Sequence, residues 1–250
     1  MNFIRYVLIT IVFYLSPLHA EGPTLNVGIQ SFIPPFVMQG AEHESYGYDI
    51  DMMNYLCKIM NRTCEFHILK FNQLLAAVAS HQIDAAISTI TITQERSKLV
   101  NFSIPYLLSY SRFLTNANKT TDLKQHFSLD LLNGKKIGIL NGSIFADQIQ
   151  TMGIKDSSIK LYDTTDLVLE GLSTKAVDFI LLDNPTAVYW EANSDGGFTA
   201  VGPPFMYGFG IGIAVNKTEP TLLQAINKAL LQFQASNEYT INYDKYLKQF

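Results

Sequence analysis

Residues 71–98, FNQLLAAVASHQIDAAISTITITQERSK, contain a predicted helix, a predicted strand and a second predicted helix in succession. Apolar side chains at helical spacing, including Leu74 and Val78, indicate the first helix. The short apolar run 85–87 indicates a buried strand, and Thr93 is suited to begin the next helix. This alternation predicts an α/β fold with mainly parallel sheets flanked by helices.

The same alternation continues on both sides of this stretch. Toward the amino terminus it predicts strands at 25–29 and 64–68, with a helix at 51–60 between them. Toward the carboxyl terminus the pattern restarts near Arg112. The elements expected there are strands at 136–140, 158–161, 179–182 and 208–215, and helices at 143–151, 167–172, 219–235 and 238–249.

An internal similarity predicts two related lobes. The segment SHQIDAAI, residues 80–87, resembles STKAVDFI, residues 173–180, and each joins a helix to a strand through a polar turn and an aspartate. We therefore expect one lobe from residues 21–110 and 207–250 and a second lobe from residues 111–206. Both have ordinary domain size.

Composition and charge limit the function. The chain has 250 residues, of which 48% are hydrophobic and 16% charged, and these values predict a folded, globular protein. Its formal net charge of −4 offers no basic excess to neutralise phosphates, so we expect no nucleic-acid partner.

The first 20 residues are expected to be a secretory signal peptide. One basic side chain, Arg5, precedes an almost wholly apolar run at 6–15, and a helix-breaking segment then ends on Ala20. A signal anchor is the alternative, but the apolar run is shorter than the ~20 residues that cross a bilayer. We therefore predict export to the periplasm, with cleavage after Ala20.

Export bears on the two cysteines. Cys57 and Cys64 lie seven residues apart, and in an oxidising compartment such a pair predicts a disulfide. Two buried thiols are the alternative. The histidines beyond residue 20 lack metal-ligand spacing, so we expect neither a metal site nor a cofactor.

Catalytic motifs such as G-x-S-x-G and H-E-x-x-H are absent from the sequence. The candidate site is instead a group of polar residues that follow the predicted strand 85–87. Arg96 falls in the first turn of the next helix, where a cation opposes the helix dipole and therefore indicates an anion nearby. Guanidinium, helix N-terminus and hydroxyls together predict a carboxylate site. A surface pair of Arg96 with Glu95 is the alternative. The hydroxyl residues are Ser88, Thr89 and Thr91.

The second lobe contributes backbone donors and an acid. Gly142 and Ser143 lie between a strand and a helix, where free N–H groups can approach the same anion. Asp183 ends another predicted strand. Because Pro185 suits the first helical position, Asn184 is the expected N-cap, and the Asp183 carboxylate stays free to bind an ammonium group. The alternative is that Asp183 caps the helix or is solvated.

Several longer segments carry a resemblance to a known family. They are IPPF (33–36), GYDIDMMNYLCKIMNRTCEF (47–66), FNQLLAAVASHQIDAAISTITITQERSKLVNFSIPY (71–106), GKKIGILNGS (134–143), DFILLD (178–183) and GFGIGIAV (208–215). Together they resemble the extracytoplasmic solute-binding proteins, family 3, of polar amino acid ABC transporters, above all the lysine/arginine/ornithine, histidine and arginine binders. The resemblance implies the two-lobed, type II periplasmic-binding-protein fold.

The resemblance also implies roles for single residues. Arg96 and Ser143, with the region of Thr91, would hold the carboxylate of an amino acid. Ser88 and Asp183 would take its α-ammonium group. The ligand would then bind as a zwitterion between the two lobes.

The identity of the ligand side chain is less closely constrained. Phe71 would pack on that side chain, and the spacing of the two cysteines favours a basic amino acid such as arginine. The chain departs from the family at Ile33, where relatives usually carry an aromatic, and at Gln30, where an acid can pair with a cationic side chain. Ile144 also replaces a hydroxyl residue.

These features predict a non-enzymatic binding protein that closes about a hinge, with chain crossings near 107–111 and 203–208. The expected partners are a free amino acid and a membrane ABC permease, and the expected form is a monomer. One alternative is an exported cyclohexadienyl (prephenate/arogenate) dehydratase, with Glu44 or Asp49 as its general acid. Another is a receptor module that signals without transport.

Overall fold

The computed structural model describes residues 22–42, 44–117 and 126–249. They form two α/β lobes, each built on a five-stranded sheet, and a two-stranded hairpin. The predicted signal peptide and its cleavage site lie outside the described residues. Within the described part of the chain, no helix combines the length and the apolar character needed to cross a membrane.

Nearly every predicted element is present, within about three residues at each end. The strands, in chain order, are β1 (Thr24–Ile29), β2 (Met38–Gln39), β3 (Ser45–Tyr46), β4 (Thr63–Ile68), β5 (Ala85–Ala86), β6 (Asn101–Phe102), β7 (Tyr110–Asn116), β8 (Lys136–Leu140), β9 (Ser158–Tyr162), β10 (Phe179–Asp183), β11 (Phe198–Met206) and β12 (Ala214–Val215). The helices are α1 (Tyr48–Ile59), α2 (Phe71–Ala79), α3 (Arg96–Leu99), α4 (Phe145–Thr151), α5 (Thr165–Ser173), α6 (Asn184–Asn193), α7 (Pro220–Gln234) and α8 (Asn237–Tyr246).

The strand predicted at 208–215 is the exception, because only Ala214–Val215 form a sheet ladder. Gly210 has a φ of +97°, a conformation outside the strand region, and it bends the segment away from the sheet. Ile211 makes only isolated bridges, to Thr91 and Leu107.

Both sheets are mixed rather than mainly parallel. In the first sheet, of order β4-β1-β5-β12-β6, β1 pairs in parallel with β4 and β5, whereas β12 pairs antiparallel with β5 and β6. In the second sheet, of order β11-β7-β10-β8-β9, the pairs of β8 are parallel and the pairs of β7 are antiparallel. The antiparallel pairings involve strands that lead into or out of the other lobe, and these enter the sheet from the opposite direction.

Helix α1 shows how the first lobe is held together. Met52, Met53, Leu56 and Cys57 recur at helical spacing and are buried in the core of this lobe. Cys57 is bonded to Cys64 with a Cα–Cα distance of 5.9 Å, so the predicted disulfide is confirmed and the two-thiol alternative is excluded. The bridge joins α1 to β4, the strand that follows it.

Two chain segments connect the lobes side by side. One runs from β6 to β7 and the other from β11 to β12. They are bonded to each other, because the N–H of Ile211 donates to Leu107 O at 2.8 Å and the N–H of Tyr207 donates to Ser109 O at 3.2 Å. The predicted chain crossings, 107–111 and 203–208, overlap these two segments but extend into β7 and β11.

Replacing both Cys57 and Cys64 with alanine should lower the free energy of unfolding by ~2.5 kcal/mol, because the bridge restricts a short loop of the unfolded chain. Urea unfolding measures this difference. Reductant should destabilise the unsubstituted protein to the same extent and leave the double variant unchanged. Equal stability of the bridged and unbridged proteins would contradict the prediction.

Candidate functional site

A small cavity lies between the two lobes, where strands β5, β8 and β10 end. The carboxyl ends of strands are the usual place for ligands in α/β sheets. The cavity has a volume of about 10 Å³, which is close to the space that one water molecule needs and far below the ~300–1,000 Å³ of sites for drug-sized ligands. We call it the inter-lobe cavity, and its lining residues are Phe71, Thr89, Thr91, Arg96, Leu140, Ser143, Ile144, Phe145 and Asp183.

Arg96, the first residue of α3, directs its guanidinium into this cavity. Its Nη1 donates to Thr91 O at 2.8 Å and its Nη2 donates to Gly142 O of the other lobe at 2.9 Å. The guanidinium carbon lies 5.5 Å from the centre of the Phe71 ring. The alternative of a surface pair with Glu95 is wrong, because the Glu95 carboxylate binds Lys98 at 2.6 Å.

The guanidinium of Arg96 remains charged in this setting. Burial lowers its pKa to about 10, while Asp183 and Asp147 act in the opposite direction. Of its five N–H donors, two bind carbonyl oxygens, which leaves three for an anion. The cavity therefore contains a partly desolvated cation with donors to spare.

Asp183 brings an acid into the cavity from the second lobe. It is the last residue of β10, and its side chain makes no capping hydrogen bond to α6. The predicted Asn184 cap is wrong by one residue: Asn184 is the first helical residue and Asp183 occupies the N-cap position. Proline is tolerated throughout the first helical turn, where N–H groups lack partners, so Pro185 does not fix the start more closely.

Two buried carboxylates meet at Thr89. The Thr89 hydroxyl donates to Asp183 Oδ2 at 3.1 Å, and the Thr89 N–H donates to Asp49 Oδ2 at 3.2 Å. Asp49 also accepts a bond from the Tyr106 hydroxyl at 3.0 Å. Burial raises the pKa of Asp183 to about 7 and that of Asp49 to about 7, although their hydrogen bonds oppose the rise. With a pKa of about 7, each acid is protonated in about half of the molecules at neutral pH, and a neighbouring cation would favour the ionised form.

The structure also brings Phe71, Thr91, Ser143 and Ile144 to the inter-lobe cavity. The expectation for the Ser143 backbone is wrong, because its N–H already donates to Leu140 O at 3.2 Å within a turn. Helix α4 accordingly begins at Phe145, two residues later than predicted. The Ser143 hydroxyl donates to the same carbonyl at 2.6 Å, so it faces an anion only after rotating away.

Gln30, Ser88 and Ile33 are not among the residues that line the inter-lobe cavity. Ser88 is fully buried, and its hydroxyl accepts a bond from the Gln30 N–H at 3.0 Å, so the hydroxyl supports the backbone of β1. Ile33 belongs to the apolar core of the first lobe and bridges to Val37. Gln30 instead lines a separate pocket at the rim of the cleft.

Sequence reasoning missed several residues of the site. Leu140 and Phe145 line the cavity. The sequence predicts that Gly142 offers its N–H to the anion, whereas the structure shows its carbonyl accepting a hydrogen bond from Arg96. Gly142 has a φ of +80°, and a Cβ there would lie 2.7 Å from Asn72 of the other lobe, so a larger residue would prevent this approach. Asp49, which the sequence analysis names only as a general acid for the dehydratase alternative, bonds to the Thr89 N–H and does not line the cavity.

The family model described as bacterial extracellular solute-binding proteins, family 3, matches residues 25–249. An arginine-binding periplasmic protein of Mannheimia haemolytica is 32% identical over 217 residues, which cover 86% of this chain and 87% of that protein.

Solved structures agree with this match. A crystal structure of an arginine 3rd transport system periplasmic binding protein from Legionella pneumophila has a TM-score of 0.83 at 32% identity, covering 90% of this chain and 100% of that one. An ancestral arginine-binding protein bound to arginine has a TM-score of 0.81 at 31% identity, covering 90% and 98%. These neighbours are type II periplasmic binding proteins, as the sequence predicts. The chain belongs to the bacterial extracellular solute-binding proteins, family 3.

Proposed function

We propose that this protein binds a free polar L-amino acid, with arginine favoured, in the inter-lobe cavity and delivers it to a membrane ABC permease. One observation carries the proposal: a guanidinium with unused donors, Arg96, and a buried carboxylate, Asp183, line the same small cavity from opposite lobes. An α-amino acid is a zwitterion whose two charged groups match this pair.

The α-carboxylate is recognised first by Arg96. Its remaining N–H donors bind the two carboxylate oxygens in a fork, the geometry that guanidinium groups favour. The carbonyls of Thr91 and Gly142 hold the guanidinium in place, so little side-chain entropy is lost on binding. The hydroxyl of Ser143 supplies a further donor once it rotates from Leu140 O.

The α-ammonium is recognised by Asp183. Because the ammonium favours the charged form of the carboxylate, it displaces the proton that burial otherwise retains there. Binding therefore joins an anion site carried mainly by the first lobe to a cation site on the second. This bridging charge favours the closed arrangement of the lobes about the two connecting segments.

The relatives support the ligand class and the compartment. The Mannheimia haemolytica relative is named an arginine-binding periplasmic protein, and the ancestral arginine-binding protein is bound to arginine. We propose in addition that residues 1–20 are removed and that the mature protein acts in the periplasm as a monomer. Delivery to an ABC permease follows from the family resemblance.

The dehydratase alternative has less support. The reported relatives are binding proteins, and neither acid suggested for it reaches the inter-lobe cavity. Glu44 lies on the β2–β3 hairpin and is exposed, and its carboxylate accepts the Glu42 N–H at 2.9 Å. Asp49 is fully buried behind Thr89.

A calorimetric screen of the twenty common amino acids and ornithine tests the proposed function. We expect arginine to bind with a dissociation constant in the micromolar range or below, which corresponds to about −8 kcal/mol. Prephenate, offered at the same concentrations, should be neither bound nor converted. If no amino acid binds to the purified protein, the proposed function is refuted.

Replacing Arg96 with alanine should weaken amino-acid binding at least ~tenfold, because it removes the charged partner of the α-carboxylate. Arg112→Ala is the matched control, since Arg112 also donates to a carbonyl, Gly202 O at 2.9 Å, but does not line the cavity. Calorimetry measures both affinities, and circular dichroism checks the fold. Equal losses in the two variants would contradict the assignment.

Affinity should fall as the pH is lowered from about 8 to 5, because ligand binding must release the proton held near pKa 7 on Asp183. The loss should approach roughly tenfold per pH unit below that pKa. Asp183→Asn should bind at least ~tenfold more weakly at pH 8 and show little pH dependence. Asp147→Asn, which removes another acid that acts on Arg96, should retain the dependence. A dependence that survives in Asp183→Asn would exclude this residue as its source.

A further inference from the structure

A second pocket lies at the rim of the cleft and continues the inter-lobe cavity past Phe71, which lines both. We call it the rim pocket. Both lobes contribute to it, since residues following β1 and β4 face residues following β9. An amino-acid side chain long enough to pass Phe71 would enter it. The lining residues are Gln30, Ser31, Ile68, Leu69, Lys70, Phe71, Gln73, Asp163 and Thr164.

An ion pair spans this pocket. Lys70 Nζ of the first lobe lies 2.7 Å from Asp163 Oδ2 of the second, and both side chains are about half exposed, at 52% and 44%. Asp163 is the only acid and Lys70 the only cation among the described residues that line the pocket. A charged ligand side chain arriving here would therefore exchange partners with this pair.

The two members of the pair are held very differently. Asp163 has a short side chain, directly follows β9, and is also contacted by Asn141 Nδ2 at 3.4 Å. Asn141 in turn precedes Gly142, whose carbonyl holds Arg96. Lys70 carries its charge on a flexible four-carbon stem that can swing into solvent. A ligand cation can thus replace Lys70 at small cost, whereas a ligand anion would have to displace an anchored carboxylate.

Gln30 adds an independent sign that a polar group belongs here. It is 4% exposed, and its Nε2 has no hydrogen-bond partner within the described part of the chain. A buried carboxamide without a partner carries a desolvation cost that a ligand can relieve. Because its nitrogen and oxygen can exchange places by a flip, the carboxamide can accept from a guanidinium as well as donate to an oxygen.

We propose that Asp163 is the residue that selects a cationic ligand side chain, and that Lys70 is its exchangeable counter-ion, which leaves when such a ligand binds. This inference rests on the proposed function, since it places the α-groups of the ligand in the inter-lobe cavity. Gln30 is neutral, so on this proposal the negative charge that pairs with the ligand side chain comes from Asp163 on the opposite lobe. Hydrogen bonds from Lys70 and Asn141 lower the pKa of Asp163, so the carboxylate is charged throughout the neutral range.

The test compares arginine with glutamine, a neutral amino acid, by calorimetry on two variants of the full chain. Asp163→Asn should weaken arginine binding about fivefold relative to glutamine binding, the scale expected of a half-exposed charge pair. Lys70→Gln should do the reverse and strengthen arginine binding several-fold relative to glutamine, because it removes the competitor for Asp163. Opposite effects from the two halves of one ion pair distinguish selection from a simple link between lobes.

Asp244→Asn is the matched control. Asp244 pairs with Lys248 at 2.8 Å and its side chain is 45% exposed, close to the exposure of Asp163, but it lies on α8 outside both pockets. It should leave the arginine-to-glutamine ratio unchanged. If Asp163→Asn and Lys70→Gln weaken both ligands equally, the pair only links the lobes and the inference is overturned. If the unsubstituted protein binds no amino acid, the proposed function itself fails.

Discussion

A cation and an anion, supplied by different lobes and largely removed from water, face one small cavity. Burial penalises both: it lowers the pKa of Arg96 to about 10 and raises that of Asp183 to about 7. Their mutual attraction offsets only part of this cost, since Asp183 bonds to Thr89 and Arg96 bonds to carbonyl oxygens. In the proposed function, a zwitterion supplies the missing counter-charge to each group, so the desolvation cost of the two charges contributes to affinity.

The fold holds Arg96 and Asp183 on opposite sides of one cavity, on lobes that are joined by only two chain segments. Strands fix the positions of the site residues, because most of them stand at or just after the ends of β5, β8 and β10. The two connecting segments are bonded to each other, so we expect the lobes to move by rotating about them. The site is also linked to this hinge, since the hydroxyls of Thr91 and Ser109 lie 2.9 Å apart. Thr91 therefore contacts both Arg96, the residue proposed to bind the ligand carboxylate, and Ser109 in the connecting segment.

Local patterns predicted the elements well because their causes are local. Helical spacing located α1, and the position of Arg96 in a first helical turn led to the prediction of an anion site there. The structure shows that Arg96 faces a cavity. Two failures depend on distant contacts: the strands that enter antiparallel from the other lobe, and the burial of Ser88 beside Gln30. The third is local, since a three-residue turn to Leu140 occupies the Ser143 N–H, and the sequence pattern does not separate such a turn from the start of a helix. The Lys70–Asp163 pair joins residues 93 positions apart, and no spacing rule brings them together.

The division between the inter-lobe cavity and the rim pocket explains why Gln30 is neutral. A carboxylate at this position would be buried beside Ser88, one residue from Thr89, where Asp49 and Asp183 already converge with raised pKa values. A third buried acid would hold its proton more tightly still, and it would raise the other two pKa values further. An acid at the half-exposed rim pays little desolvation and stays ionised. On the proposed assignment, a selecting charge on Asp163 rather than at position 30 separates selectivity from the titration of Asp183, the acid proposed to bind the α-ammonium.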